Sequence, residues 1–195
     1  MKILIACEYS GIVRDAFTKK GHDVISCDIL ESESPGKHYK GNVMDLLKNN
    51  NFDLIIAFPP CTDLSNAQAG PVMNKKIETG KSAEALQFIK KIYDSCDKVV
   101  IENPISSYLN NNWLAYDQII EPYYFGHNYR KKTCLWLKNM PILISTIWNE
   151  PTYKLIQSSS WYRGKKKSKG LPGATRKHKS RFHYLVAEAM AEQWG

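Results

Sequence analysis

Leu54-Ile55-Ile56-Ala57-Phe58-Pro59-Pro60-Cys61-Thr62-Asp63-Leu64-Ser65 couples an unbroken apolar run to an abrupt stop. Four or five apolar residues, β-branched at their centre and closed by two prolines, read as a buried strand over Leu54 to Phe58, because proline neither donates to a ladder nor continues one. Cys61 then stands just past the carboxyl end of that strand. In open α/β sheets this is the edge on which ligands bind. An isolated cysteine is usually a small buried hydrophobe, so the rest of the chain has to decide whether this thiol is chemical or structural.

Outward from this stretch, strands and helices alternate. Lys2 to Cys7 reads as an apolar strand, Ile12 to Lys20 as a helix closed by Gly21, and His22 to Ile29 as a second strand. Ser82 to Cys96 carries Ala85, Phe88, Ile89, Ile92 and Cys96 at helical spacing, and Val99 to Ile101 is another buried strand. Gln118 to Tyr124 and Thr133 to Leu137 read as further strands, and Leu185 to Gln193 as a final helix. Repeated β-α-β units predict an α/β fold with a mostly parallel sheet and helices on both faces. At 195 residues the chain suits a single domain, 1–195.

No stretch approaches the ~18 apolar residues of a membrane span, and the opening residues are too short for a signal-peptide core, so a soluble, cytoplasmic protein is expected. The five cysteines (7, 27, 61, 96 and 134) form no Cys-x-x-Cys pair, and the five histidines show no metal-ligand spacing. Neither disulfides nor a metal are expected. Charge is sharply segregated: ten of the 27 basic residues and no acidic one fall between 151 and 187, leaving 17 basic against all 19 acidic residues elsewhere. The whole +8 therefore comes from this segment. Its Arg163, Lys165, Lys166, Lys167, Lys169, Arg176, Lys177 and Arg181, interleaved with Trp161, Tyr162 and glycines, suit contacts to nucleic-acid phosphates with aromatic stacking on bases.

Chemistry attaches to the strand ends. Glu8, Ser10 and Gly11 form a tight turn into a helix, where backbone amides can approach a ligand closely. Asp28 ends the second strand about twenty residues on, the position at which a carboxylate binds a ribose diol in nucleotide-binding folds. The turn lacks a full Gly-x-Gly-x-x-Gly, which favours a nucleoside cofactor without a pyrophosphate. Asp45 is a third polar residue at this rim. Glu102, in Ile101-Glu102-Asn103-Pro104, puts a carboxylate at a neighbouring strand end, where it can supply acid and hydrogen-bond chemistry while Cys61 supplies the nucleophile. Each of these residues has a plainer alternative as a helix cap or turn former.

Taken together, Glu8-x-Ser10-Gly11, Asp28, Asp45, Pro59-Pro60-Cys61-x-x-x-Ser65, Glu102-Asn103, Arg130-Lys131-Lys132-Thr133 and the closing Val186 to Glu192 follow the order and approximate spacing of motifs in DNA cytosine-5 methyltransferases. The chain resembles the short, phage-type members of that family, which would place it in a host cytoplasm. The resemblance implies a Rossmann-like methyltransferase fold with S-adenosylmethionine bound near Glu8, Ser10, Gly11, Asp28, Ile29, Asp45 and Pro59. It further implies Cys61 as the thiolate that adds to C6 of cytosine, Glu102 as the contact to N3 and the exocyclic amine, and Arg130 or Lys132 as the basic group holding the target. Thr62 stands where the family commonly has glutamine, and Pro104 where valine is usual. Ser180-Arg181-Phe182 replaces a Gly-Asn pair. The target-recognition domain is reduced to about 146–181, a basic loop at about 151–181, so a second protein supplying recognition is one implied partner. Three substrate readings stay open: cytosine in DNA, cytosine in RNA or a free nucleotide, and a nucleic-acid-binding protein that keeps the fold without methyl transfer. Phe58, apolar where amino-methyltransferases carry a polar residue before Pro-Pro, disfavours those enzymes.

Overall fold

The computed structural model describes residues 1–65, 70–127, 129–147, 156–157 and 182–195. Its strands and helices, in chain order, are β1 (Lys2–Ala6), α1 (Ile12–Lys19), β2 (Asp23–Asp28), β3 (His38–Lys40), α2 (Val43–Asn49), β4 (Leu54–Ala57), α3 (Pro71–Glu78), α4 (Lys81–Asp94), β5 (Val99–Asn103), α5 (Ser107–Asn112), β6 (Gln118–Ile120), β7 (Tyr129–Arg130), β8 (Thr133–Lys138), β9 (Ile156–Gln157) and α6 (Tyr184–Trp194). Seven strands form one sheet in the order β3-β2-β1-β4-β5-β8-β6, and β7 pairs with β9 separately. The first five strands of that order run parallel, in register Ala6 to Ala57 and Ala57 to Ile101. β8 is antiparallel to both of its neighbours. That reversal follows from the connection. The link from β6 to β8 carries a 3-10 turn, Pro122–Phe125, and β7 but no α-helix, and the chain turns back beside β6.

Side-chain alternation builds a core on each face. Ile3 and Ile5 of β1 and Leu54 and Ile56 of β4 pack with Val13 and Phe17 of α1 and with Val186, Met190 and Trp194 of α6. Leu4, Ala6, Ile55 and Ala57 point the other way, against Leu86, Ile89 and Ile92 of α4, Leu109 of α5 and Trp136 of β8. All four residues of β4 are fully buried, as expected of a strand covered on both faces. Ala187, Ala189 and Ala191 keep α6 slim where it lies on α1. The predicted mostly parallel sheet with helices on both faces is therefore present.

Several element ends differ from the sequence expectation for local reasons. β1 stops at Ala6 because Cys7 adopts a left-handed φ of 59°, which turns the chain off the sheet. The expected strand Gln118 to Tyr124 ends at Ile120, and Pro122 opens a 3-10 turn instead. No helix among the described residues is long and apolar enough to cross a membrane.

Candidate active site

The carboxyl ends of β1, β2, β4 and β5 converge on the turn after β1, the end of β2 and the loop after β4. Side chains from three other elements hold the Cys61 loop. Asn103 at the end of β5 donates from Nδ2 to the Pro59 carbonyl at 3.0 Å. Ser106, which caps α5 by accepting from Leu109 N at 3.1 Å, donates to the Leu64 carbonyl. Ser82 in α4 donates to the Asp63 carbonyl at 2.7 Å. Within the loop, the Cys61 carbonyl accepts from Leu64 N at 3.1 Å and from Ser65 N at 2.9 Å, and the Leu64 side chain is fully buried. A segment without a ladder is thus pinned at Pro59, Asp63 and Leu64. The Cys61 thiol at its exposed side stays partly accessible.

Glu102 lies on β5, beside Cys61. Thr133 of β8 donates its hydroxyl to Glu102 Oε1. Burial pushes the Glu102 carboxyl above the usual carboxylate range, against the Lys131 charge and the Thr133 hydrogen bond, which favour ionisation. Burial also raises the Cys61 thiol, as does the Glu102 charge, while its own backbone N–H, Lys131 and Lys76 lower it. The two acids oppose each other's ionisation. A proton kept on Glu102 removes one of the influences that hold Cys61 as a thiol.

Between the ordinary glutamate range and the raised folded value, the folded state binds more protons than the unfolded chain, so Glu102 costs stability progressively as pH rises through that window. Glu102→Gln is therefore expected to raise the thermal midpoint at pH 8 more than at pH 5. Equal shifts at the two pH values would contradict a burial-raised Glu102. The same variant is expected to lose activity by roughly 10²-fold or more, the scale of removing one acid–base group.

The resemblance implies Arg130 or Lys132 as the basic group, but the residue whose charge acts on Cys61 and Glu102 is Lys131, between those two in the chain. Arg130 points to the 3-10 turn, pairing Nε with Glu121 Oε2 at 3.5 Å and lying over the Tyr123 ring at 5.1 Å. Lys132 is exposed. Sequence spacing passed over Lys131 because β7 ends at Arg130 and the chain turns before β8 begins at Thr133.

At the rim formed by the carboxyl ends of β1 and β2, Glu8 and Ser10 act on the fold itself. Glu8 accepts from Val13 N at 3.0 Å and Arg14 N at 3.4 Å, capping α1 across the left-handed Gly11, and takes a 2.7 Å hydrogen bond from Ser10 Oγ. The space left by Gly11's missing side chain is filled by the chain: an added Cβ would lie 2.1 Å from Ser34 Oγ and 2.5 Å from Arg14 Nη2. Asp28, at the end of β2, accepts from Leu30 N at 2.9 Å, and burial raises its carboxyl. Ile29 beside it is 75% exposed, an apolar surface next to a carboxylate. Asp45 is exposed in the first turn of α2, 3.4 Å from the Tyr39 hydroxyl. Pro59 is buried at the start of the Cys61 loop. The basic residues Arg163, Lys165, Lys166, Lys167, Lys169, Arg176, Lys177 and Arg181 lie outside the described residues.

No protein-family model matches the sequence, and no curated protein matches it. Among solved structures, a methyltransferase from Entamoeba histolytica superposes with a TM-score of 0.50 at 14% identity, over 88% of this chain and 63% of that one. An rRNA methylase from Escherichia coli gives 0.41 at 11% identity over 70% and 55%. The bifunctional kinase-methyltransferase WbdD gives 0.42 at 12% identity over 75% and 36%. This chain spans 36 to 63% of the length of those three chains. The sheet order and the Entamoeba likeness identify the architecture as the α/β, Rossmann-like methyltransferase fold.

Proposed function

We propose that this chain transfers a methyl group from S-adenosylmethionine to C5 of cytosine in DNA. The observation that carries the proposal is the pairing of a partly exposed Cys61, on a loop pinned by Asn103, Ser82 and Ser106, with a largely buried Glu102 whose carboxyl burial pushes upward. The aromatic C5 carbon is a poor nucleophile until a soft anion adds to the conjugated C6. Cys61 Sγ as thiolate forms that bond, and electron density moves through the ring towards N3. Glu102, protonated, donates there and neutralises the developing charge. Lys131 adds a cation to the same site. After C5 has been alkylated, loss of its proton expels Cys61 Sγ from C6 and restores the aromatic ring.

The cofactor rim fits an adenosyl group by its chemistry. Asp28 offers a half-buried carboxylate to ribose hydroxyls, and exposed Ile29 offers an apolar surface to adenine. S-adenosylmethionine supplies the electrophilic methyl when bound. Asp45 is the candidate contact for the adenine amino group, while Glu8, Ser10 and Gly11 fix the shape of the β1–α1 turn. In a duplex target, cytosine must leave the stack to reach Cys61.

The test is transfer of labelled methyl to DNA, RNA and dCMP in parallel. Label at C5 of cytosine in DNA is expected. Label only in RNA or dCMP would move the substrate, and label on adenine or an exocyclic nitrogen would overturn the mechanism. DNA is preferred because of the basic segment. Replacing Lys165, Lys166 and Lys167 with glutamine is expected to weaken DNA binding and lower its logarithmic salt slope by as much as about 3, one unit per phosphate contact. An unchanged slope would remove the segment from the interface.

A further inference from the structure

Helix α3 buries none of its eight residues, and Val72 and Ile77 are 55% and 46% exposed. Lys76 departs from this pattern. Its side chain is only 14% exposed, with Nζ 3.1 Å from Asp63 Oδ1 and donating to the Thr62 carbonyl. A lysine on a helix with no core contacts gains nothing by burying its stem unless its ammonium has somewhere to go. Here it goes to the two residues that follow Cys61. Ser82 of α4 already holds the carbonyl of Asp63, so the Thr62–Asp63 turn is held by two helices at once. Asp63 and Thr62 together supply a carboxylate and a carbonyl, two acceptors that meet on one cation.

We propose that Lys76 is a positioning residue for Cys61: from α3 it grips the Thr62–Asp63 turn that follows the thiol and holds a positive charge on that loop. The inference rests on the reading of Cys61 as the nucleophile. Lys76 acts through the loop and through its charge. The direction of its influence on the thiol, downward alongside that of Lys131, agrees with this role. α3 thereby acquires a function that its lack of a buried face does not otherwise explain.

The experiment is the pH dependence of Cys61 alkylation by iodoacetamide, read by peptide mass on the full chain. Cys61→Ala serves to identify the peptide. Lys76→Met is expected to raise the alkylation midpoint by roughly half to one pH unit, the scale of losing one nearby opposite charge at a partly screened site. Lys76→Arg keeps the charge and is expected to stay near the wild-type midpoint. Asp63→Asn leaves the ammonium uncompensated and is expected to lower the midpoint, which keeps the proposal testable should Lys76→Met fail to fold. A midpoint unmoved in both Lys76→Met and Asp63→Asn, or raised as much by Lys76→Arg as by Lys76→Met, would reduce Lys76 to a tether for α3. Alkylation needs no methyl transfer, so the two readings fail separately. A shifted midpoint with full methylation by Cys61→Ala overturns the nucleophile and keeps the lysine. An unmoved midpoint with inactive Cys61→Ala does the reverse.

Discussion

Methyl transfer by Cys61→Ala is expected to fall roughly 10⁴-fold or more, the scale seen when the nucleophile of a catalytic unit is removed, with affinity for S-adenosylmethionine unchanged. The thiol is partly exposed, and what holds its loop is backbone and neighbouring side chains: Asn103 on the Pro59 carbonyl, Ser82 on the Asp63 carbonyl, Ser106 on the Leu64 carbonyl. Removing Sγ therefore leaves the loop anchored and the β1 and β2 ends untouched. Transfer rates and calorimetric cofactor binding, measured on the same preparation, check both halves. Retained transfer would eliminate the covalent mechanism. Lost transfer with lost cofactor binding would mean that the substitution had disturbed the sheet edge rather than the chemistry.

Arg14→Met is expected to cost about 3 kcal/mol, because several buried hydrogen-bonding groups lose a charged partner together. For a chain of this size that corresponds to a drop of roughly 6–12 °C in the thermal midpoint. Arg14 is 1% exposed, and its guanidinium organises the whole connection from β2 to β3. Nε donates to Asp15 at 2.8 Å, Nη1 to Ser26 Oγ at 3.2 Å and Ser32 Oγ at 2.9 Å, and Nη2 to the carbonyls of Ser34 and Pro35 at 3.1 and 2.9 Å. Gly11 and Gly36 make room for it: a Cβ at Gly36 would lie 2.7 Å from the guanidinium. This connection begins at Asp28, so the variant is also expected to weaken cofactor binding. A midpoint within about 2 °C of wild type would contradict the account, since that is less than about 1 kcal/mol for a chain of this length.

The legible parts of the fold were those with a core to face. β1, β4 and β5 announce themselves as apolar runs because both sheet faces are covered, and α4 does so through Ile89 and Ile92, while Leu86, which the spacing did not pick out, is buried where Ala85 and Phe88 are only partly so. α3 was not legible because it buries nothing, and β3 because its three residues, His38-Tyr39-Lys40, form a polar strand at the sheet edge with no apolar run. α5 is one short helix whose signal, Ser106 three residues before Leu109, is a cap without an apolar repeat. The antiparallel entry of β8 breaks the β-α-β rhythm, since no α-helix separates it from β6.

For the site the division is similar. Cys61 and Glu102 could be found because each ends an apolar strand, and Asp28 for the same reason. Lys131, Lys76, Ser82 and Arg14 could not, since their roles come from contacts made across the fold: Lys76 meets Asp63, Ser82 meets Asp63, and Arg14 reaches the 32–35 segment. Gly11 was legible as a special backbone position, and its left-handed φ of 76° bears that out. The reason for the glycine, room for Ser34 and Arg14, needed the fold.

The most direct measurement of the central claim is the intact mass of the protein after incubation with S-adenosylmethionine and DNA carrying 5-fluorocytosine. Fluorine at C5 cannot leave as a proton does, so expulsion of Cys61 Sγ stalls and the Sγ–C6 bond persists. The account predicts an adduct of protein plus methylated DNA strand, mapped by digestion to the Cys61 peptide and absent from Cys61→Ala. An adduct mapped to another cysteine, or labelled methyl transferred to unmodified cytosine DNA with no adduct on the fluorinated strand, would contradict it.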